Sequence, residues 1–237
     1  MIELHDEIFA FVRIDINRFK LYNSFFGKNE GDKLIKFMAN RLTSYIQKQD
    51  ICTAGRIEAD VFGFCMPNNS EIIQESFIQI KSALNSYNEN YNIAPAFGVY
   101  IIKNKDLSMD QIYSNATLAA KKSKENVLLN FTYYTSELED EIIREQNIAN
   151  EMNVALEQNQ FLIYLQPKYN LKLEKIEGAE ALVRWNHPEK GMQSPMEFIP
   201  VFERNGFIIK LDFFVWEEVC KLLRKWLDEG RKVFPIS

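Results

Sequence analysis

The chain has 237 residues, of which 46% are hydrophobic and 13% aromatic, which is enough to build the packed cores of one or two domains. Its formal net charge of −5 gives it no general attraction for nucleic-acid phosphates, so we expect no nucleic-acid partner. A nucleotide ligand stays open, because a local site or a bound metal ion can offset the overall charge.

The three cysteines form neither a disulfide framework nor a metal-ligand spacing, which indicates buried thiols in a reducing compartment. The N-terminus carries acidic residues where a signal peptide needs basic ones. No apolar run approaches the roughly 20 residues that span a membrane. We therefore expect a cytoplasmic chain. A membrane-anchored region N-terminal to this sequence stays open.

The first 135 residues alternate between strand-like and helix-like patterns. A nearly continuous apolar run at 8–16 predicts a strand that is buried on both faces. The predicted elements that follow are a short helix at 17–27, a helix at 30–49, paired strands at 51–57 and 61–66, a helix at 70–88, a strand at 93–102, a helix at 109–124 and a strand at 127–134. This order predicts an α+β sandwich with a ferredoxin-like core.

The residues of the first strand and helix resemble the GGDEF family. The resemblance is carried by RIDINRFKLYN at 13–23, by Gly27 and by the pair Gly31 and Asp32. It covers residues 8–135 and implies a cyclase-type fold for them. Active members of the family make cyclic di-GMP from two GTP molecules.

The resemblance implies a metal site at the end of the first strand. Asp15 and Asp60 match metal-ligand positions, together with the backbone carbonyl of Ile16. Phosphoryl transfer needs such carboxylates to hold a divalent ion against the triphosphate. Asn17 departs from the family, which commonly has an acid there.

The signature loop of the family is degenerate in this chain and reads EADVF at 58–62. Val61 replaces the acid that catalysis in the family requires, and an isopropyl group can neither bind metal nor accept a proton. Glu58 and Ala59 replace paired glycines, which permit a tight turn and a close approach of backbone to phosphate. Glu58 also adds negative charge beside the triphosphate. We therefore expect no diguanylate cyclase activity.

Nucleotide binding by this half stays open. Asn23 and Asp32 match the family's guanine contacts, and Lys124 matches a phosphate contact. The basic residue expected shortly after Lys124 is replaced by Leu128. The alternative is that Asn23 and Asp32 are a helix cap or surface polar residues, and that Lys124 is a solvated lysine.

Residues 136–159 predict a connecting helix with an imperfect apolar stripe. The stripe either packs against a neighbouring domain or forms a dimeric coiled coil. We favour packing, because the stripe is shorter than the three to four heptads that define a coiled coil.

Two strand-like runs at 161–169 and 175–185 frame a turn. One face of the first run presents Leu162, Tyr164 and Gln166, and one face of the second presents Glu180, Leu182 and Arg184. A carboxylate and a guanidinium on an otherwise apolar strand need each other, a metal or an anionic ligand, because burying an unpaired charge is costly. Taken alone, they favour a structural Glu180–Arg184 ion pair.

The surrounding residues resemble an EAL domain. The matching blocks are YLQPK at 164–168, EALVRW at 180–185, HP at 187–188 and FIP at 198–200, in the family's order. The family hydrolyses cyclic di-GMP inside a (β/α)8-type barrel. The resemblance makes Glu180 a ligand for Mg²⁺ or Mn²⁺, makes Arg184 a contact to the substrate phosphate, and places Gln166 near the substrate.

The rest of the sequence predicts a helix capped by Ser194 and ended by Gly206, a helix at 210–229 and a strand at 233–236. His187 lies in a turn, where we expect a structural role. A (β/α)8 barrel needs about 250 residues. We therefore expect residues 160–237 to form an incomplete, TIM-barrel-like α/β domain, and the chain to be an internal fragment of a longer GGDEF–EAL protein.

Two classes of function remain for a chain divided into a degenerate GGDEF domain (1–135), a connecting helix (136–159) and part of an EAL domain (160–237). The parent is a cyclic di-GMP phosphodiesterase with a regulatory, inactive GGDEF domain, in which case this chain alone is inactive. Alternatively, both domains bind GTP, cyclic di-GMP or a protein without catalysis. A homodimer through the EAL region or the connecting helix stays open.

Overall fold

The computed structural model describes residues 7–46, 53–88, 91–125 and 131–237. The chain divides into two units, Met1–Glu139 and Asp140–Ser237. The boundary lies inside the predicted connecting helix. None of the helices in the described ranges combines the length and the hydropathy that a membrane span requires.

Unit 1 (Met1–Glu139) is built around a five-stranded sheet. Its elements are β1 (Phe9–Ile16), α1 (Phe19–Phe26), α2 (Lys28–Ile46), β2 (Thr53–Glu58), β3 (Val61–Pro67), α3 (Ser70–Asn85), β4 (Pro95–Ile102), α4 (Met109–Glu125) and β5 (Phe131–Tyr133). The strand order is β2-β3-β1-β4-β5, and β1 runs antiparallel to both of its neighbours. The predicted order of elements is confirmed. The parts predicted at 47–52 and 126–130, with Leu128, lie outside the described residues.

Strand β1 is the central strand of this sheet, and all eight of its residues are buried. Its alternate residues Ala10, Val12 and Ile14 enter a core that also contains residues of α2 and α3. Phe9 and Phe11 face the other side, where Ile112 and Ala116 of α4 cover them. Burial on both faces explains the continuous apolar run in the sequence.

The end of β1 lies beside the turn between β2 and β3. Asp15 is opposite Val61 on one side and Ala96 on the other. In the turn, Ala59 has a φ of 39°, a backbone conformation that non-glycine residues seldom adopt. The degenerate loop thus makes its turn without glycine, and it leaves Asp60 next to the end of β1.

Unit 2 (Asp140–Ser237) contains a three-stranded antiparallel sheet. Its elements are α5 (Ser136–Glu157, which begins in unit 1), β6 (Phe161–Asn170), β7 (Lys175–His187), β8 (Gly191–Gln193), α6 (Pro195–Asn205) and α7 (Ile208–Asp228). Strands β6 and β7 and both helices were predicted, whereas β8 was not. Ser194 precedes α6 but makes no side-chain cap hydrogen bond, so the predicted serine cap is wrong in that detail.

An aromatic core joins the sheet of unit 2 to its helices. Phe161 and Trp185 pack against Phe198 and Phe202 of α6, and all four are at most 2% exposed. The indole N–H of Trp185 donates to Oε1 of Gln160 at 3.0 Å. This core fixes which face of β6 and β7 is buried, and therefore which face stays open.

The predicted strand at 233–236 is reduced to a single parallel bridge between Ala179 and Ile236. Backbone hydrogen bonds support it, from Ala179 N to Pro235 O and from Ser237 N to Ala179 O, both 3.0 Å. A regular (β/α)8 barrel has parallel strands throughout. The region here begins instead with the antiparallel β6–β7 hairpin, and parallel pairing starts only at Ile236.

Candidate functional site

A buried charged site in unit 1 surrounds Asp15, which is 7% exposed. Its Oδ2 lies 3.2 Å from Nη2 of Arg13, and its Oδ1 lies 2.6 Å from Nζ of Lys124 at the end of α4. A buried carboxylate without a partner is strongly destabilising. The two cations therefore allow Asp15 to be buried.

Asp60 is the second carboxylate of this site. Its pKa is raised, first by burial and then by the negative charge of Asp15. Backbone hydrogen bonds at Asp60 and Ile16 and the charge of Lys124 oppose that rise. The structure thus brings together Asp15, Asp60 and the backbone of Ile16. Within the described ranges, no group of three or more His, Cys, Asp or Glu side chains is arranged to hold a metal ion.

A second chain of contacts reaches the degenerate loop. Nη1 of Arg13 donates to the hydroxyl of Tyr113, which donates to Oε1 of Glu58 at 3.2 Å. The guanidinium carbon of Arg13 lies 4.9 Å from the centre of the Tyr113 ring. Val61 is 5% exposed and belongs to the packed strand β3. Sequence reasoning missed Arg13 and Tyr113, although a basic residue inside a buried apolar strand is a signal.

The predicted guanine contacts lie on α1 and α2, which meet at Gly27. Oδ1 of Asn23 is buried and accepts no hydrogen bond from any described group. A Cβ atom on Gly31 would lie 1.7 Å from that oxygen, so the Asn23 amide rests directly on the Gly31 backbone. Asp32, the next residue, is exposed. The predicted phosphate contact Lys124 is the residue paired with Asp15.

The three predicted site residues of unit 2 share one face of the β6–β7 hairpin. Gln166 is directly opposite Glu180, and Leu162 is directly opposite Arg184. Tyr164 lies between them on the same face, opposite Leu182. The other face carries Phe161 and Trp185 into the core. We call the open face, formed by these six cross-strand partners, the hairpin face.

The structural ion pair between Glu180 and Arg184 is a wrong interpretation for this chain. Arg184 is half-buried; its Nη1 donates to the carbonyl oxygen of Val183 at 2.9 Å, and its guanidinium carbon lies 6.0 Å from the centre of the Tyr164 ring. Glu180 and Gln166 are exposed, and neither side chain has a hydrogen-bond partner among the described residues. The hairpin face therefore presents one carboxylate, one amide and most donors of one guanidinium.

His187 serves the turn after β7. Its Nδ1 accepts from the backbone N–H groups of Glu189 and Lys190, both at 3.1 Å. Its Nε2 lies 3.2 Å from a carboxylate oxygen of Glu151, which also pairs with the Lys190 ammonium at 3.0 Å. All of its ring atoms that can form hydrogen bonds are engaged, as a structural role requires.

Two family models match the chain. The diguanylate cyclase GGDEF domain matches residues 2–127, and the EAL domain matches residues 149–237. The chain is 26% identical to MucR of Pseudomonas aeruginosa, a bifunctional diguanylate cyclase/cyclic di-GMP phosphodiesterase, over 98% of this chain and 34% of that protein. It is 27% identical to the cyclic di-GMP phosphodiesterase NbdA of the same organism, over 91% of this chain and 28% of that protein. It spans about a third of the length of these relatives.

Among solved structures, the S helix–GGDEF–EAL region of LapD from Vibrio cholerae, bound to cyclic di-GMP, matches 98% of this chain and 55% of that chain. The TM-score is 0.52 and the identity is 18%, so this likeness concerns the fold alone. It confirms the predicted cyclase-type fold followed by an EAL region. The GGDEF match covers more than half of the chain, and the EAL match follows it. The chain belongs to the GGDEF–EAL family.

Proposed function

We propose that this chain is part of a cyclic di-GMP phosphodiesterase. The hairpin face of unit 2 contributes to its substrate site, and unit 1 is a non-catalytic regulatory domain. The observation that carries the proposal is that Glu180 remains exposed and unpaired although Arg184 shares its face. The carboxylate is thus available to a ligand.

The chemistry of the hairpin face suits a phosphodiester substrate. Arg184 keeps guanidinium donors for a phosphate group, with a geometry that matches phosphate oxygens. The Gln166 amide lies beside Glu180 and can donate to or accept from a substrate. Glu180 offers the hard oxygen ligand that Mg²⁺ and Mn²⁺ prefer, and such an ion supplies activated water when bound.

One carboxylate does not complete a two-metal site, which needs several ligands. The proposed activity is therefore that of the whole protein, with further acidic ligands supplied from outside the described hairpin face. The relatives are about three times as long as this chain, which leaves room for such residues in a protein of their length.

The proposed lack of catalysis in unit 1 is supported by its core packing. Val61 is buried opposite Asp15, where the family's catalytic acid would stand. Restoring an acid there would put an unpaired charge into a packed strand. Incubation of the protein with GTP and Mg²⁺ is expected to yield no cyclic di-GMP.

A second candidate function is nucleotide binding without catalysis by unit 1. The specific observation in its favour is the buried Oδ1 of Asn23, which lacks a donor within the described chain. Guanine N–H groups supply such donors. GTP is accordingly the ligand to test first.

The deciding experiment measures cyclic di-GMP hydrolysis by the full-length protein with Mg²⁺ or Mn²⁺. Glu180→Gln is expected to lower the rate by roughly 100-fold or more, since even residues that only support metal ligands contribute 10–100-fold. Glu177→Gln, an exposed glutamate of the same strand, is the matched control and should retain activity. If the wild type binds cyclic di-GMP but never hydrolyses it, binding without catalysis replaces the phosphodiesterase activity as the proposed function.

A further inference from the structure

Arg13 is a buried cation in the centre of a sheet. It is 8% exposed, and its cross-strand partners on both neighbouring strands are glycines, Gly63 and Gly98. The positions directly opposite Arg13 on both neighbouring strands therefore carry no side chain. A guanidinium in such a place is costly unless its surroundings compensate the charge.

The compensation comes from Asp15 of the expected metal site and, through Tyr113, from Glu58 of the degenerate loop. Nη2 of Arg13 pairs with Oδ2 of Asp15, while Nη1 reaches Glu58 through the hydroxyl of Tyr113. Its Nε is buried and has no partner among the described groups. Arg13 thus lies between two acidic residues at the active-site end of unit 1, where the family's fold would place a divalent ion.

A divalent ion does not fit beside Asp15 in this arrangement. Mg²⁺ binds carboxylate oxygens at about 2.0–2.1 Å, and it tolerates little distortion of its octahedral ligand shell. Both oxygens of Asp15 already meet a cation, at 3.2 Å from Arg13 and 2.6 Å from Lys124. An ion bound to either oxygen would be close to both positive groups in a poorly screened site.

The two cations differ in how readily they can move away from Asp15. The Lys124 side chain is 40% exposed and can turn towards solvent. The Arg13 side chain is 9% exposed, and moving it would leave a buried guanidinium without its carboxylate. Arg13 is therefore the residue that decides whether the site accepts a metal ion.

We propose that Arg13 acts as a built-in cation in unit 1, taking the place of the divalent metal and excluding it from the Asp15–Asp60 pair. Asp15 then serves as the partner of two side-chain cations and not as a metal ligand, and Asp60 beside it has no second carboxylate free to share a metal ion. Binding of an anionic nucleotide by unit 1 is accordingly independent of Mg²⁺. The proposal does not depend on the activity assigned to unit 2.

The test is a titration of the whole chain with Mn²⁺, in which electron paramagnetic resonance measures the free ion. A Glu180→Gln background removes the exposed carboxylate of the hairpin face. The unchanged unit 1 is expected to show no Mn²⁺ site that depends on Asp15. Arg13→Met is expected to gain one bound Mn²⁺ per chain at this site, because the local repulsion is gone. Adding Asp15→Asn should abolish that site.

Arg41→Met, which removes an exposed arginine from α2, is the matched control for the change in net charge and should gain no site. Asp15-dependent Mn²⁺ binding by the unchanged unit 1 would overturn the proposal. So would a folded Arg13→Met variant, judged by circular dichroism, that gains none. If Arg13→Met does not fold, Arg13→Gln takes its place, and the titration of the unchanged unit remains decisive by itself.

Discussion

The contact between Asn23 and Gly31 can be tested by a double-mutant cycle. A Cβ at Gly31 would lie 1.7 Å from Oδ1 of Asn23 and 2.8 Å from its Cγ, so Gly31→Ala must expel the Asn23 side chain. Replacing a helical glycine with alanine otherwise stabilises by about 0.5–1 kcal/mol. In an Asn23→Ala background the clash with Asn23 disappears and only a 3.1 Å approach to the Phe19 ring remains, so the helix-propensity gain should dominate.

The expected change in stability is the sum of the overpacking cost and the helix-propensity gain. With Asn23 present, overpacking costs about 1–3 kcal/mol, which outweighs the helix-propensity gain. We expect Gly31→Ala to lower the melting temperature by a few degrees in the wild-type background and to raise it by roughly 2–4 °C in the Asn23→Ala background. Thermal unfolding followed by circular dichroism measures both. Equal shifts in the two backgrounds would refute the contact, because the two sites would then be independent.

Two further predictions concern stability. The raised pKa of Asp60 means that its charged form is disfavoured in the folded state. The charged carboxylate therefore lowers the stability of the fold at a pH above the folded-state pKa, and this loss is absent below the ordinary value of 3.8. Asp60→Asn should therefore raise the melting temperature at pH 7 and not at pH 3, and an equal rise at both would contradict the assigned cause. Trp185→Ala should destabilise by about 3–5 kcal/mol in urea unfolding, because the side chain is 1% exposed. Trp216→Ala, at a tryptophan that is 63% exposed, should stay within about 0.5 kcal/mol, and similar losses for both would contradict the core assignment.

Which residues share one face of a strand could be predicted from the sequence, because side chains alternate between the two faces. The alternation along 161–169 and 175–185 placed Gln166, Glu180 and Arg184 on the side where the structure has them. What the ion-pair interpretation lacked was the direction of the Arg184 side chain, which turns to the Val183 carbonyl and the Tyr164 ring. Sequence spacing says which residues can meet and does not say which rotamers they adopt.

The Arg13 network could not be predicted, because its members are far apart in sequence. Tyr113 is 100 residues from Arg13 and 55 from Glu58. No local pattern links a strand, a helix and a turn at such separations. The sequence does carry one signal that our predictions did not use, an arginine inside a run predicted to be buried, because a buried charge needs compensation. Strand β8 was missed for a different reason, since its three residues are too few for any periodicity.

Asp15 of unit 1 and Glu180 of unit 2 differ in burial and in pairing, and this difference bears on which of them can take part in catalysis. Asp15 is buried and neutralised by Arg13 and Lys124, so unit 1 folds around a charge that it has already satisfied. Glu180 is exposed and needs no partner for folding, because water solvates it. A carboxylate that packing does not require, on one face with a guanidinium it does not pair with, is free to meet a metal ion and a phosphate. The hairpin face of unit 2, and not the Asp15 site of unit 1, is therefore where we expect catalytic chemistry to depend on this chain.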